Sequence, residues 1–208
     1  DLYKSGRFED AAYCYKKATA INPLAPDAWY EQGLALYKLG YFEEALSSFG
    51  RALKLDKNYV DAWNNKGVTL DRMGRYEEAI SCYEEILRIK PWDTRAWQNE
   101  GLLRRKLGEY HSAFVCFDNI VKIDPESFSG WCARAEMLYE FLGRHDEAIE
   151  SYNNALKIDP SNSSIWFDKG VCLYDLGRYS EALYSYDKAI ELDPGKSKYW
   201  NNKGIVLK

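Results

Sequence analysis

The stretch Trp63-Asn64-Asn65-Lys66-Gly67 returns unchanged as Trp200-Asn201-Asn202-Lys203-Gly204. The two copies lie 137 residues apart, a distance that no short repeat divides evenly. The tryptophans between them supply the ruler. Trp29, Trp63, Trp97, Trp131, Trp166 and Trp200 are separated by 34, 34, 34, 35 and 34 residues, so four steps, one of them a residue longer, connect the copies. A period of about 20–50 residues marks stacked supersecondary units rather than one irregular core.

Other side chains keep the same period. Four residues after each Trp stands a small residue: Gly33, Gly67, Gly101, Ala135, Gly170 and Gly204. Seven residues after most of them stands Leu (Leu36, Leu70, Leu138, Leu173, Leu207), with Arg104 as the exception. Positions i, i+4 and i+7 share one face of a helix. Gly40, Gly74, Gly108, Gly143 and Gly177 then stop that helix, as Gly beyond the last periodic residue does. A second helical pattern follows, for example Ala45-Phe49-Ala52, Ala79-Tyr83-Ile86 and Ala182-Tyr186-Ala189, and the chain opens with it at Ala11, Tyr15 and Ala18. Pro closes most units (Pro23, Pro91, Pro125, Pro160, Pro194), Lys57 being the exception. Each unit therefore reads as two antiparallel helices joined by a short Gly turn.

Trp, Gly, Ala, an aromatic, Ala and Pro in this order, on this period and along the whole chain, resemble the tetratricopeptide repeat. The resemblance implies an all-α fold, a right-handed α-solenoid of stacked antiparallel helix pairs. The complete repeats are 26–59, 60–93, 94–127, 128–162 and 163–196, flanked by partial repeats 1–25 and 197–208. The family often has Leu just before the first Gly; here stand Gln32, Lys66, Glu100, Arg134, Lys169 and Lys203. These are expected at the edge of the core, with the stem packed and the head in water. The indoles are expected inside it, so that Trp97→Ala costs about 3–5 kcal/mol. Neither end carries a polar capping face, and Val206 and Leu207 are expected to be exposed. That pattern fits part of a longer array, or ends that stack on other copies. Repeat 128–162 has Ala135 for Gly, His145 for Phe or Tyr, and one extra residue between Ala135 and Leu142. Such an insertion is expected to be absorbed as a π-bulge or a longer turn.

Chemistry finds little purchase. Hydrophobic residues make up 46% and charged residues 29% of the chain, a soluble composition. No apolar stretch reaches the length of a membrane span. A net charge of -4 weighs against nucleic acid as a partner. Five Cys without a CxxC pair, and two separated His, exclude the usual zinc spacings. They read as free thiols in a reducing, cytoplasmic setting, with no cofactor. Cys14, Cys82 and Cys116 occupy a repeat position held elsewhere by Ser48, Ser151 and Ser185, which calls only for a small side chain. Gly195-Lys196-Ser197 lacks the first Gly of a phosphate loop, since Ile190 stands there, and it joins two helices. His111 and His145 have no nucleophile and acid nearby, and Glu77-Glu78 and Glu84-Glu85 read as solvated faces. The chain is not expected to be an enzyme.

Function is then expected on the surface. On a helical wheel, positions −2, +1, +2, +5, +8 and +9 from each Trp oppose the core; in solenoids similar to this family that side lines the concave groove. There Asn64, Asn65, Gln98 and Asn99 form a ladder of amides, which donate to and accept from a peptide backbone at once. Arg72, Arg95, Arg105 and Lys106 add a basic cluster. The partner expected is a protein or peptide, an extended acidic segment held by the amides and by the Arg forks on its carboxylates. Asp27, Asp61, Asp168 and Asp175 speak against RNA along the groove. The resemblance also offers the groove that grips a chaperone's C-terminal carboxylate. Asn65 fits its middle Asn, but Tyr30 and Leu34 stand for its Lys and Asn, and Arg95 and Asn99 for its Lys and Arg.

Overall fold

The computed structural model describes residues 7–208, which form twelve α-helices and, among the described residues, no strand. In chain order these are α1 (Phe8–Ile21), α2 (Pro26–Lys38), α3 (Phe42–Leu55), α4 (Val60–Arg72), α5 (Tyr76–Ile89), α6 (Thr94–Lys106), α7 (Tyr110–Ile123), α8 (Phe128–Glu136), α9 (His145–Ile158), α10 (Ser163–Asp175), α11 (Tyr179–Leu192) and α12 (Ser197–Val206). Even-numbered helices carry the repeated Trp and odd-numbered ones the second pattern. The first six residues of the partial repeat 1–25 lie outside the described residues.

The chain divides into two compact units, one ending at Leu103 and one beginning at Arg104. In the first, α2 packs on α1 and α3, α3 on α4, and α4 on α5. In the second, α8 packs on α7 and α9, α9 on α10, α10 on α11, and α11 on α12. Within each unit these helices touch their neighbours in sequence, as in an α-solenoid of helix pairs.

The Gly turns are built alike. Gly40, Gly74, Gly108, Gly143 and Gly177 have φ between +62° and +82°, a left-handed conformation that costs Gly nothing and a side chain much. The next N–H then reaches back to cap the helix: Tyr41 to the Leu36 carbonyl at 3.0 Å, Arg75 to Leu70 at 2.9 Å and Arg178 to Leu173 at 2.9 Å. In repeat 128–162 the reach is one residue longer, from Arg144 to Leu138 at 2.9 Å. The extra residue sits in a π-helical turn, Met137–Phe141, which keeps Met137 and Leu138 fully buried.

Close approach within a pair comes from the small residue four after Trp. A Cβ on Gly33 would lie 2.6 Å from the Phe49 ring, one on Gly67 2.9 Å from Tyr83, and one on Gly170 2.6 Å from Tyr186. The second helix of the same pair supplies the ring in each case.

The tryptophans depart from expectation. Trp29, Trp63, Trp97, Trp131 and Trp166 are only half-buried. Their polar edge explains why: an indole N–H needs an acceptor. Each donates to the carbonyl six residues earlier: Trp29 to Pro23, Trp63 to Lys57 and Trp97 to Pro91, all at 2.9 Å, Trp131 to Pro125 at 2.8 Å, and Trp166 to Pro160 and Trp200 to Pro194 at 3.0 Å. Those carbonyls lie in the turn between one pair and the next, so the indole staples the seam rather than filling the core.

The residue just before the small one also faces this seam. Arg134 donates to Asp118 at 2.7 Å and Lys203 pairs with Asp187 at 2.5 Å. Each partner lies 16 residues earlier, on the preceding odd-numbered helix. Glu100 overturns the expectation of a wet head: it is 5% exposed.

Two glycine substitutions separate close approach from helix propensity. Gly170→Ala is expected to lose about 1–3 kcal/mol by overpacking. Gly204→Ala, whose Cβ would meet nothing within 4 Å, is expected to gain up to about 1 kcal/mol. Denaturant melts of both read the difference.

Candidate functional site

α4 and α6 carry, each on the side away from its repeated Trp, the residues singled out by sequence. The Asn65 amide donates to the Asp61 carbonyl at 2.9 Å and to the Tyr30 hydroxyl at 3.1 Å. Its nitrogen is thus committed, and its oxygen is left to accept. Asn202 folds back in the same way, onto the Lys198 carbonyl at 2.9 Å. Asn64, Gln98 and Asn99 are half-buried and, among the described residues, make no side-chain hydrogen bond.

Arg72 is exposed and, among the described residues, in no ion pair. The Arg95 side chain is 77% exposed, with the Asp93 carboxylate 4.0 Å away. Steps of three, four and seven residues place Arg95, Gln98, Asn99, Arg105 and Lys106 on one face of α6. Arg105 is committed to Glu136 at 3.0 Å, and Lys106 is exposed.

Aromatic rings brace this face. Tyr30 lies 6.0 Å from Phe49 and 5.0 Å from Tyr59 between ring centroids. Burial, then a hydrogen bond to Asp27, holds the Tyr59 hydroxyl above its ordinary pKa. Sequence reasoning passed over Tyr59. The signal was a large aromatic at a position that elsewhere holds Ala25, Asp93, Ser127, Asn162 and Lys196.

The corresponding face of the second unit has a different character. Phe167, expected in the groove, is 9% exposed. It packs on Tyr186 and Tyr199 at 5.7 and 4.9 Å, because an apolar ring at this position is covered by the next pair. The Tyr139 hydroxyl donates to Asp175 at 2.6 Å. Asp168 is pushed up to about 6, first by burial, with Lys198 opposing and Glu136 and Glu140 adding to the rise. Glu136 is also raised, by burial above all, with Arg105 opposing. This face is acidic where that of α4 and α6 offers amides and guanidinium groups.

Burial pushes the thiols of Cys82, Cys132 and Cys172 up to about 11, 12 and 12, which disfavours the reactive thiolate. Among the described residues no three His, Cys, Asp or Glu converge on a metal position, and no helix is long and apolar enough to cross a membrane.

Tetratricopeptide repeat models match residues 26–59, 60–93, 99–163 and 137–197, and a TPR repeat model matches 1–40. No curated protein sequence matches the chain. Among solved structures it is similar to YrrB, a TPR protein with an unusual peptide-binding site, with a TM-score of 0.76 at 22% identity, covering 93% of this chain and 100% of that one. MamA follows with a TM-score of 0.73 at 21% identity over 84% of this chain and 94% of that one. A MamA from Desulfovibrio magneticus RS-1 gives 0.66 at 24% identity over 77% and 90%. At these identities the likeness is one of fold.

The raised Asp168 carboxyl sets a pH dependence. The folded state holds that proton more tightly than the unfolded chain, so stability falls as pH rises from about 4 to about 6. Asp168→Asn is therefore expected to stabilise the chain at pH 7, by on the order of 1–3 kcal/mol, and to lose that advantage below about pH 4. Thermal melts of both proteins across this range check it.

Proposed function

Because the chain belongs to the tetratricopeptide repeat family, we propose that it is a non-catalytic protein-interaction scaffold whose α4 and α6 face holds an extended acidic peptide. One observation carries this reading. Asn64, Gln98 and Asn99 offer amides with no partner among the described residues, beside the exposed guanidinium groups of Arg72 and Arg95. An extended peptide has unpaired N–H and C=O groups along its length, and an amide side chain matches both. The free Asn65 oxygen takes a peptide N–H, while Arg72 and Arg95 take carboxylates in charge-assisted bonds. A peptide-binding relative in fold, YrrB, supports the reading without fixing the ligand.

A second reading, self-association through the last helix, draws on Trp200, Ile205 and Leu207, which are 52%, 46% and 65% exposed. Sedimentation over a wide concentration range separates the two, because a monomer throughout disfavours the second.

An array of Asp- and Glu-rich peptides tests the first reading. The double variant Arg72→Glu, Arg95→Glu is expected to bind the selected peptide at least about tenfold more weakly, since buried or fork-like charge contacts are worth a kcal/mol or more each. Unchanged affinity rejects the α4–α6 face.

A further inference from the structure

We propose that the first unit holds a second site, on its α3–α5 side, that seats a carboxylate from an acidic segment of a partner protein. It is separate from the peptide face above, since Asn64, Asn65, Arg72 and Arg95 do not line it.

The chain itself shows how the site works. At two seams the residue before the small position is a cation paired with an Asp sixteen residues earlier: Arg134 with Asp118, and Lys203 with Asp187. The equivalent cation on α4 is Lys66, and the residue sixteen before it is Gly50. The carboxylate is missing, and so is any side chain. A Cβ at Gly50 would meet nothing within 4 Å. Lys66 rests its ammonium 5.1 Å over the Trp63 ring. Among the described residues it makes no ion pair. Glu78, the α5 acid that feels its charge, is itself bound in a fork by Arg75 at 2.6 and 2.7 Å.

A recess of about 560 Å³ opens at this place, lined by Gly50, Lys54, Lys57, Trp63, Lys66 and Arg88, with Leu53 and Glu85 completing the wall. Arg88 is engaged by Glu85 at 2.8 Å. Lys54 and Lys57, like Lys66, make no ion pair among the described residues. Three uncommitted ammonium groups around one concavity draw an anion. The charge is local. The matching recess by Trp166 is lined by Glu150, Asn153, Asn154 and Lys157, with Asn153 in the place of Gly50. It has no such cationic excess.

The occupant is a carboxylate on a peptide rather than a free phosphate, for two reasons. Two equivalent seams close with an Asp carboxylate. The Trp63 ring and Leu53 give the recess an apolar wall that suits a side-chain stem and not an inorganic ion.

The test follows the Trp63 indole N–H, anchored on Lys57, by NMR in the full chain. Acetyl-tetra-aspartate amide, inorganic phosphate and acetyl-tetra-lysine amide are titrated in turn. A saturable shift with the aspartate peptide alone is expected. Gly50→Asp places the protein's own carboxylate beside Lys66, and Lys66→Gln removes the cation without filling the recess. Each is expected to weaken the peptide at least about tenfold, and Arg95→Glu to leave the shift intact. No saturable shift, undiminished binding by Gly50→Asp and Lys66→Gln, phosphate binding as tightly as the peptide, or loss of the shift in Arg95→Glu would each overturn the assignment. The last result places the peptide on the α4–α6 face instead. Retention of the Trp63 shift with no effect of Arg95→Glu on any acidic peptide leaves this site standing while the α4–α6 reading falls.

Discussion

Each pair is tied to the one before it by a hydrogen bond from a tryptophan edge to a turn carbonyl six residues upstream, made six times at 2.8–3.0 Å. The indole does two things that a purely apolar side chain cannot. Its ring covers the seam between pairs, and its N–H satisfies a carbonyl that the turn would otherwise leave without a helical partner. The acceptor is a Pro carbonyl in five cases and that of Lys57 in the sixth, so the bond depends on where the turn puts the oxygen and not on the ring of proline. The start of every even-numbered helix is held in this way and a left-handed Gly follows each of them but α12, so such a helix has little freedom left. Contacts such as Gly33 on Phe49 then set how closely its partner approaches.

The energetics agree with this division of labour. A single net hydrogen bond is worth about 1 kcal/mol, yet a solenoid sums its units and interfaces, so a small term repeated at every seam becomes a large one. Ion pairs are abundant at the turns: Arg75, Arg144 and Arg178 each grip the Glu three residues on at 2.6–2.7 Å. They sit in water, where such pairs contribute little. Their use is positional, since Arg75 and Arg178 also reach Glu43 and Asp146 of the preceding pair at 3.5 and 3.4 Å. The charges that matter more lie at the drier seam, where Arg134 and Asp118 have 12% and 17% of their side chains exposed.

How much of this was readable depended on how local the determinant is. The Gly stops were legible because a positive φ belongs nearly to one residue type. The place of the insertion was legible because period and pattern fall out of step between Ala135 and Leu142, and the π-helical turn lies inside that interval. The tryptophans were misplaced. A helical wheel puts them on the buried side but does not separate the centre of a core from its seam, and the unmet N–H was the neglected signal. Glu100 was misjudged because the period carries no information on what faces it across the seam. On the α4–α6 face, the amide and Arg positions followed from spacing. The bonds from Asn65 to Tyr30 and from Arg105 to Glu136 did not, because they join residues 35 and 31 apart.

Hydrogen exchange at the indole nitrogens tests the staple most directly. Trp92 is the internal control: it is 67% exposed and, among the described residues, its N–H has no acceptor. If the seams are held as described, the N–H groups of Trp63, Trp97, Trp131 and Trp166 exchange far more slowly than that of Trp92. Exchange of all five at the rate of a free indole would contradict it.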